Sequence, residues 1–317
     1  MIQRKIIKSD ANNRLGLQSQ TLKGLFLLFL LGFVWGSGYS IARFAMTHEV
    51  HPLGYAFWQS VGPAILLGLI CLINRDPSLL NSKNWFFFIV CGLIGIAIPN
   101  TNMYFAASKI QAGTLAVLVN TVPLMVYPLA LLFKQEYLDL SRLVAILIGL
   151  FGLGFIVFPA GGFNWHSWQL LVLITPLSFA LCAIYISASK KNDIHPLSAA
   201  AGMLIAASLF LTPIVYNQQA FYALTWPMNL SQKVVVLEIF LSSLGYLIFF
   251  RLIRLAGPVY YSLTGGVVAV TGIFWGALLF GERPDWHELL GTVLILLAIG
   301  LLSWRQPYQP NYELNHE

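Results

Sequence analysis

Ten stretches of apolar residues divide this chain, each long enough to cross the roughly 30 Å of bilayer hydrocarbon as a helix. They lie near 24–46, 53–74, 85–108, 112–133, 141–159, 168–189, 196–216, 233–253, 258–281 and 286–304. A backbone in lipid must satisfy its own N–H and C=O groups, so apolar runs of about twenty residues fold as helices. Most links are short, so neighbouring helices run antiparallel. The fold class expected is all-α integral membrane, with ten transmembrane helices. Composition argues against a soluble alternative: 58% of residues are hydrophobic and 9% charged, where a soluble domain carries about 25% charged.

The charges that remain act as topology signals. With a cytoplasmic N-terminus, only Arg43, Lys109, Lys233 and Arg283 of the 18 lysines and arginines fall outside. That bias places both termini in the cytoplasm. The net charge of +6 does not indicate nucleic acid, because the basic residues sit between apolar runs and form no patch. The first apolar run is too long for a signal-peptide core and reads as a retained helix. Residues 1–23 are a basic cytoplasmic tail and 305–317 a polar one, expected to be disordered. The link from Asn217 to Gln232 is the one expected to be mobile.

An internal repeat underlies the ten spans. His51-Pro52-Leu53 returns as His195-Pro196-Leu197 and Ala112-Gly113 as Ala256-Gly257, both 144 residues later; Glu136 pairs with Glu282 after 146. The units are 24–160 and 161–304. Five helices is an odd number, so the second unit enters the membrane upside down. Inverted repeats of this kind place a substrate site near the midplane, between the halves.

The polar residues inside the spans are the candidates for that site. The third span carries Pro99-Asn100-Thr101-Asn102, where the proline removes a helix hydrogen bond. The fourth has Asn120-Thr121-Val122-Pro123, and its partner has Thr264-Gly265-Gly266. Buried asparagines in lipid need a protein or water partner. The functional reading, a binding site at matched breaks, stands beside a structural one in which neighbouring Ser and Thr satisfy packing kinks. The expected substrate-binding set is Asn100, Tyr104, Asn120, Tyr246, Thr264 and Trp275, hydrogen-bonding groups walled by aromatic rings.

Other features carry less. Glu238 is either a proton-coupling carboxylate or, the favoured reading, a group beside a helix N-terminus, where the dipole suits negative charge. His48-Glu49-Val50-His51 has no third ligand, and no metal or cofactor is expected. Cys71, Cys91 and Cys182 lie inside apolar spans with no metal or disulfide pattern. No catalytic constellation is present, so the chain is not expected to be an enzyme.

Trp35-Gly36-Ser37-Gly38 in the first span, with Phe280-Gly281-Glu282-Arg283-Pro284, Leu290-Gly291 and Gly300 near the end, resembles the opening and closing elements of EamA-type members of the drug/metabolite transporter superfamily. Gln135-Glu136 stands where symmetry would put a second Gly-Glu, and the ninth span lacks a counterpart of Pro123. The resemblance implies export of small metabolites, in some members amino acids. The expected function is a secondary transporter of amino acids or amphipathic amines, working by alternating access in the plasma (inner) membrane. An organic-anion or nucleotide-sugar carrier is the alternative, with a membrane-embedded lipid-modifying enzyme behind it. The partners are the small-molecule substrate and the lipid bilayer. The chain is taken as a monomer, with a dimer as the alternative.

Overall fold

The computed structural model describes residues 2–158, 168–189, 194–262 and 264–304, with side chains described from Leu22 onward except at 250, 253–263 and 303–304. The polar tail 305–317 and the side chains of Arg254, Tyr260 and Tyr261 lie outside the described residues.

Among the described residues ten helical spans are present: α1 Ile2–Thr47, α2 Pro52–Ile73, α3 Ser82–Ala107, α4 Ala112–Leu132, α5 Leu140–Val157, α6 Trp168–Ser189, α7 Pro196–Asn217, α8 Leu230–Ser262, α9 Thr264–Phe280 and α10 Trp286–Trp304. Eight segments are long and apolar enough to cross a bilayer; Thr264–Phe280 and Trp286–Leu302 are shorter apolar helices. Helix α8 runs to Ser262, beyond the expected end near 253, and α9 starts later than its expected 258. Proline removes one ladder bond there but does not end the helix.

Local chemistry sets the helix ends. His51 and His195 cap α2 and α7 in the same way: each ring accepts the amide of Leu53 or Leu197, at 3.2 and 3.3 Å, and a proline follows at the first helical position. Asp139 caps α5 through the amides of Ser141 and Arg142. Asp285 and Glu288 open α10 with a reciprocal capping box.

Packing follows a pseudo-two-fold axis relating each helix to the one five later. The major contacts are α1 with α8 and α9, α6 with α3 and α4, α2 with α8, α7 with α3, and the self-paired α2–α7, α4–α9 and α5–α10. Exchanging the two repeats returns the same list, and every contact in it joins one repeat to the other. Small residues permit the closest crossings. A Cβ on Gly152 would strike the backbone of Gly291, and one on Gly291 that of Gly152.

The link after α7, expected to be mobile, is anchored. The Trp58 indole donates to the Tyr222 carbonyl at 2.8 Å, and Gln232 donates to the Ala223 carbonyl at 2.8 Å and to Thr225 at 3.0 Å. The reason is that aromatic and amide side chains of α2 and α8 fold over the loop and satisfy its carbonyls.

Candidate functional site

Helix α3 opens where its sequence indicates. Pro99 cannot donate to the carbonyl of Gly95, and a wide turn spans Leu93–Ala97 just before it. Helix α6 reaches into this region: Ser178 donates to the Ile94 carbonyl at 2.6 Å and Thr175 to the Pro99 carbonyl at 3.0 Å. Asn102 turns the same way, donating to Thr175 and to the Leu171 carbonyl. This side of the break is structural packing by Ser and Thr. Asn100 faces the opposite side and donates to Gln59 Oε1 at 3.0 Å.

Asn120 sits at the interruption of α4, between Ala112–Val119 and Val122–Leu132. Its amide donates to the Ala116 carbonyl at 2.8 Å and to the Tyr39 hydroxyl at 3.1 Å. Gly265 of α9 lies against its side chain. Thr264, at the start of α9, is buried with its hydroxyl unpaired. Tyr104 packs edge-on against Tyr55, centroids 4.7 Å apart, and lies within electrostatic range of Tyr39 and Tyr246. Tyr246 packs edge-on against Trp35.

Five of the six residues singled out from sequence thus line one interior seam between the repeats, running from α3 and α8 past Tyr39 to α4 and α9. Trp275 is not brought to it. Its indole donates to the Phe33 carbonyl at 3.1 Å, and its ring lies between Phe33 and Phe274, both about half exposed on the outer surface of the bundle. Sequence reasoning passed over Tyr55 and Gln59 of α2, which with Ser242 of α8 close the seam. Their polarity inside apolar spans was the available signal. Glu238 is not at a helix start: it lies two turns into α8 and is 7% exposed. The dipole effect fades beyond the first turn.

The two membrane ends of the bundle differ. At the end holding Arg43, the Glu282 carboxylate accepts the first two amides of α4, Ala112 at 2.7 Å and Gly113 at 3.0 Å, and pairs with Arg43 at 2.9 Å. Arg43 also donates to the Ile110 carbonyl at 2.7 Å. Thr114 donates to Glu288 at 3.0 Å. This ties α1, α4 and α10 together.

The opposite end does not repeat this. The turn after α9 has its left-handed residue at Gly281 (φ 62°), immediately before Glu282; the turn after α4 has it at Lys134 (φ 57°), immediately before Gln135. The left-handed position is offset by one residue between the two turns, yet Glu136 remains the counterpart of Glu282: the amide of each bonds the carbonyl six residues back, Ala130 or Gly276, at 3.3 Å. Gln135 donates to the Ile184 carbonyl at 3.1 Å, and Glu136 pairs with Arg142 at 3.1 Å. Ser187 stands 144 residues after Arg43. Here the ends of α4, α6 and α10 border a cavity of about 320 Å³ lined by Tyr127, Gln135, Glu136, Arg142, Ile184 and Ser187 among others.

The loop histidines serve the fold. His51 caps α2, while His48 stacks on Phe44 and bonds its carbonyl at 2.8 Å.

A ten-helix bundle in which two inverted repeats meet along a buried polar seam defines a multi-pass membrane transporter. The chain belongs to the EamA-like transporter family, whose model matches it twice, over residues 22–158 and 166–304. It is 22% identical over 293 residues to an uncharacterized transporter, YvbV, of Bacillus subtilis (strain 168), covering 92% of this chain and 94% of that one. It is 21% identical over 310 residues to the S-adenosylmethionine/S-adenosylhomocysteine transporter of Chlamydia muridarum (strain MoPn / Nigg), covering 92% and 95%. A solved crystal structure matches the fold with a TM-score of 0.58 at 16% identity, over 90% of this chain and 96% of that one.

Proposed function

We propose that this protein is a secondary transporter of the inner membrane, exporting small metabolites by alternating access, with both termini cytoplasmic. The observation that carries the reading is the inequality of the two ends: an ion pair and two backbone amides hold α1, α4 and α10 together at one, and an open cavity lies at the other. By the lysine and arginine bias the closed end faces outside and the cavity faces the cytoplasm. A cytoplasmic substrate would enter the cavity, reach the seam, and leave once the Glu282 contacts part.

Substrate recognition falls to Asn100, Tyr104, Asn120, Tyr246 and Thr264, with Trp275 outside the seam. Amide and hydroxyl groups beside phenol rings suit a ligand with a polar end and an apolar body, such as an amino acid or an amphipathic amine. The compounds named for the chlamydial relative, with an amino-acid end and an aromatic base, have that shape.

The test is a melting-shift screen of the purified protein against amino acids and amphipathic amines. A ligand bound only by the folded state raises the melting temperature by mass action. Asn100→Ala should weaken binding of the hit a few-fold to tenfold, since a hydrogen bond contributes about 0.5–1.5 kcal/mol. Leu147→Ala and Leu297→Ala, on exposed faces, should not. Equal affinity in all three would remove Asn100 from the site.

A further inference from the structure

Glu238 is a carboxylate enclosed by the bundle. Ser242 donates to its Oε1 at 2.7 Å, but Oε2 has no hydrogen-bond partner. The Tyr55 hydroxyl lies beside the same carboxylate, within its hydrogen-bonding influence, and has no other partner. Among the described residues no lysine, arginine or histidine forms an ion pair with it. The titratable groups that face it are Tyr55 from α2 and Tyr104 from α3, with Tyr39 of α1 and Tyr246 of α8 beyond Tyr104. Gly38 is what α1 presents to it.

The fold does not need this polarity. The α2–α8 crossing that holds Glu238 is related by the pseudo-two-fold to the α7–α3 crossing. At the 144-residue spacing, Glu238 corresponds to Ile94, Tyr55 to Ala199 and Gln59 to Met203. The corresponding crossing is thus built once from apolar side chains, with a wide turn at Leu93–Ala97, and once around a carboxylate on an uninterrupted helix. A lone buried charge is strongly unfavourable unless it is paired or neutralised. Glu238, Tyr55, Tyr104 and Ser242 are 7%, 1%, 3% and 5% exposed, so the carboxylate is closed off from bulk water. A metal cation would need several more oxygen ligands.

We propose that Glu238 is a proton-binding site that couples transport to the proton gradient. A proton adds to Oε2, forming a neutral carboxylic acid whose new O–H can donate to the Tyr55 phenol oxygen; its loss restores the carboxylate. The step is a simple protonation, with no electron transfer. This rests on the secondary-transport reading above and deepens it by naming the coupling ion.

Two measurements on the full chain test it. The first needs no substrate: infrared difference titration of purified protein in lipid nanodiscs. A buried carboxylic-acid C=O band should appear on acidification, vanish in Glu238→Gln and persist in Glu49→Gln, a change at an exposed loop carboxylate. A band unchanged by Glu238→Gln, no band at any pH, or a spectrum that responds to sodium in place of protons would overturn the proposal. The second uses radiolabelled phenylalanine in proteoliposomes as the probe. Wild type should accumulate it against its gradient when a pH difference is imposed, up to about tenfold per pH unit for one exchanged proton. Glu238→Gln should fall to onefold, with Glu238→Asp restoring part of the accumulation. Undiminished accumulation in a well-folded Glu238→Gln protein would refute coupling through this residue. No transport of phenylalanine by wild type would count against the substrate reading alone, and the infrared titration would still decide the proton site.

Discussion

Arg43 and Glu282 face each other across the boundary between the two repeats, 2.9 Å apart, and the same carboxylate holds the first two amides of α4. A carboxylate at a helix N-terminus is favoured both by the unpaired amides and by the helix dipole. Because Glu282 is 7% exposed and Arg43 only partly so, the pair is less screened than a surface salt bridge. It links α1 of one repeat to the α9–α10 turn of the other, at the end where alternating access would require them to separate.

Loss of that contact should favour the outward-open state. Hydrogen bonds to charged groups contribute about 1.5–3 kcal/mol, enough for a large population change. With Cys71, Cys91 and Cys182 removed, Thr114→Cys should react several-fold faster with an impermeant thiol reagent from outside when Glu282→Ala is added. An unchanged rate would mean that the Glu282 contacts do not hold this end closed.

Inverted insertion has a direct consequence for two capping aspartates. Asp139 opens α5 and Asp285 opens α10, and the charge bias puts them on opposite sides. In intact cells, Asp285→Cys should be labelled by the impermeant reagent and Asp139→Cys should not. Labelling of both, or of Asp139→Cys alone, would be incompatible with this orientation.

Gly152 and Gly291 hold α5 and α10 at backbone contact. Gly291→Val must push the helices apart or force strained rotamers, a cost of about 1–3 kcal/mol. The melting temperature of the purified protein should drop, while Gly300→Val, where a Cβ meets nothing, should change it little. Equal melting of the two variants would show that this crossing tolerates a side chain.

Asp76 lies in the link after α2, capping a short helix through Ser78 and accepting Ser198 Oγ at 2.6 Å. Burial pushes its carboxyl up, but the hydrogen bonds from Ser198 and Ser78, with His195 nearby, hold it below the usual carboxylate range. A pKa lower in the folded than in the unfolded state stabilises the fold above the unfolded value, about 3.9, and that stability is lost as pH falls through the folded value. Asp76→Asn should lower the neutral-pH melting temperature and reduce its fall on acidification below about pH 4. An acid profile parallel to wild type would show that Asp76 does not contribute to it.

Helix number and duplication were legible in the linear chain, because lipid demands apolar runs of a set length and the repeated caps, His51 with His195, keep their neighbours in sequence. The breaks at Pro99 and at Asn120, three residues before Pro123, were legible for the same local reason, a proline's missing amide. Which face of α3 served packing and which served the seam was not: Asn102 bonds α6 while Asn100 turns to α2, and although helix geometry puts the two on opposite faces, only packing decides which neighbour each face meets. Trp275 looked like a cavity wall and lies on the outer surface, since depth along a helix follows from sequence but direction around it follows from packing. Only the tertiary structure decided that Glu238 is enclosed, that Glu136 pairs with Arg142 while Glu282 holds α4 and Arg43, and that one end of the bundle is tied while the other is open, because each depends on contacts that packing sets.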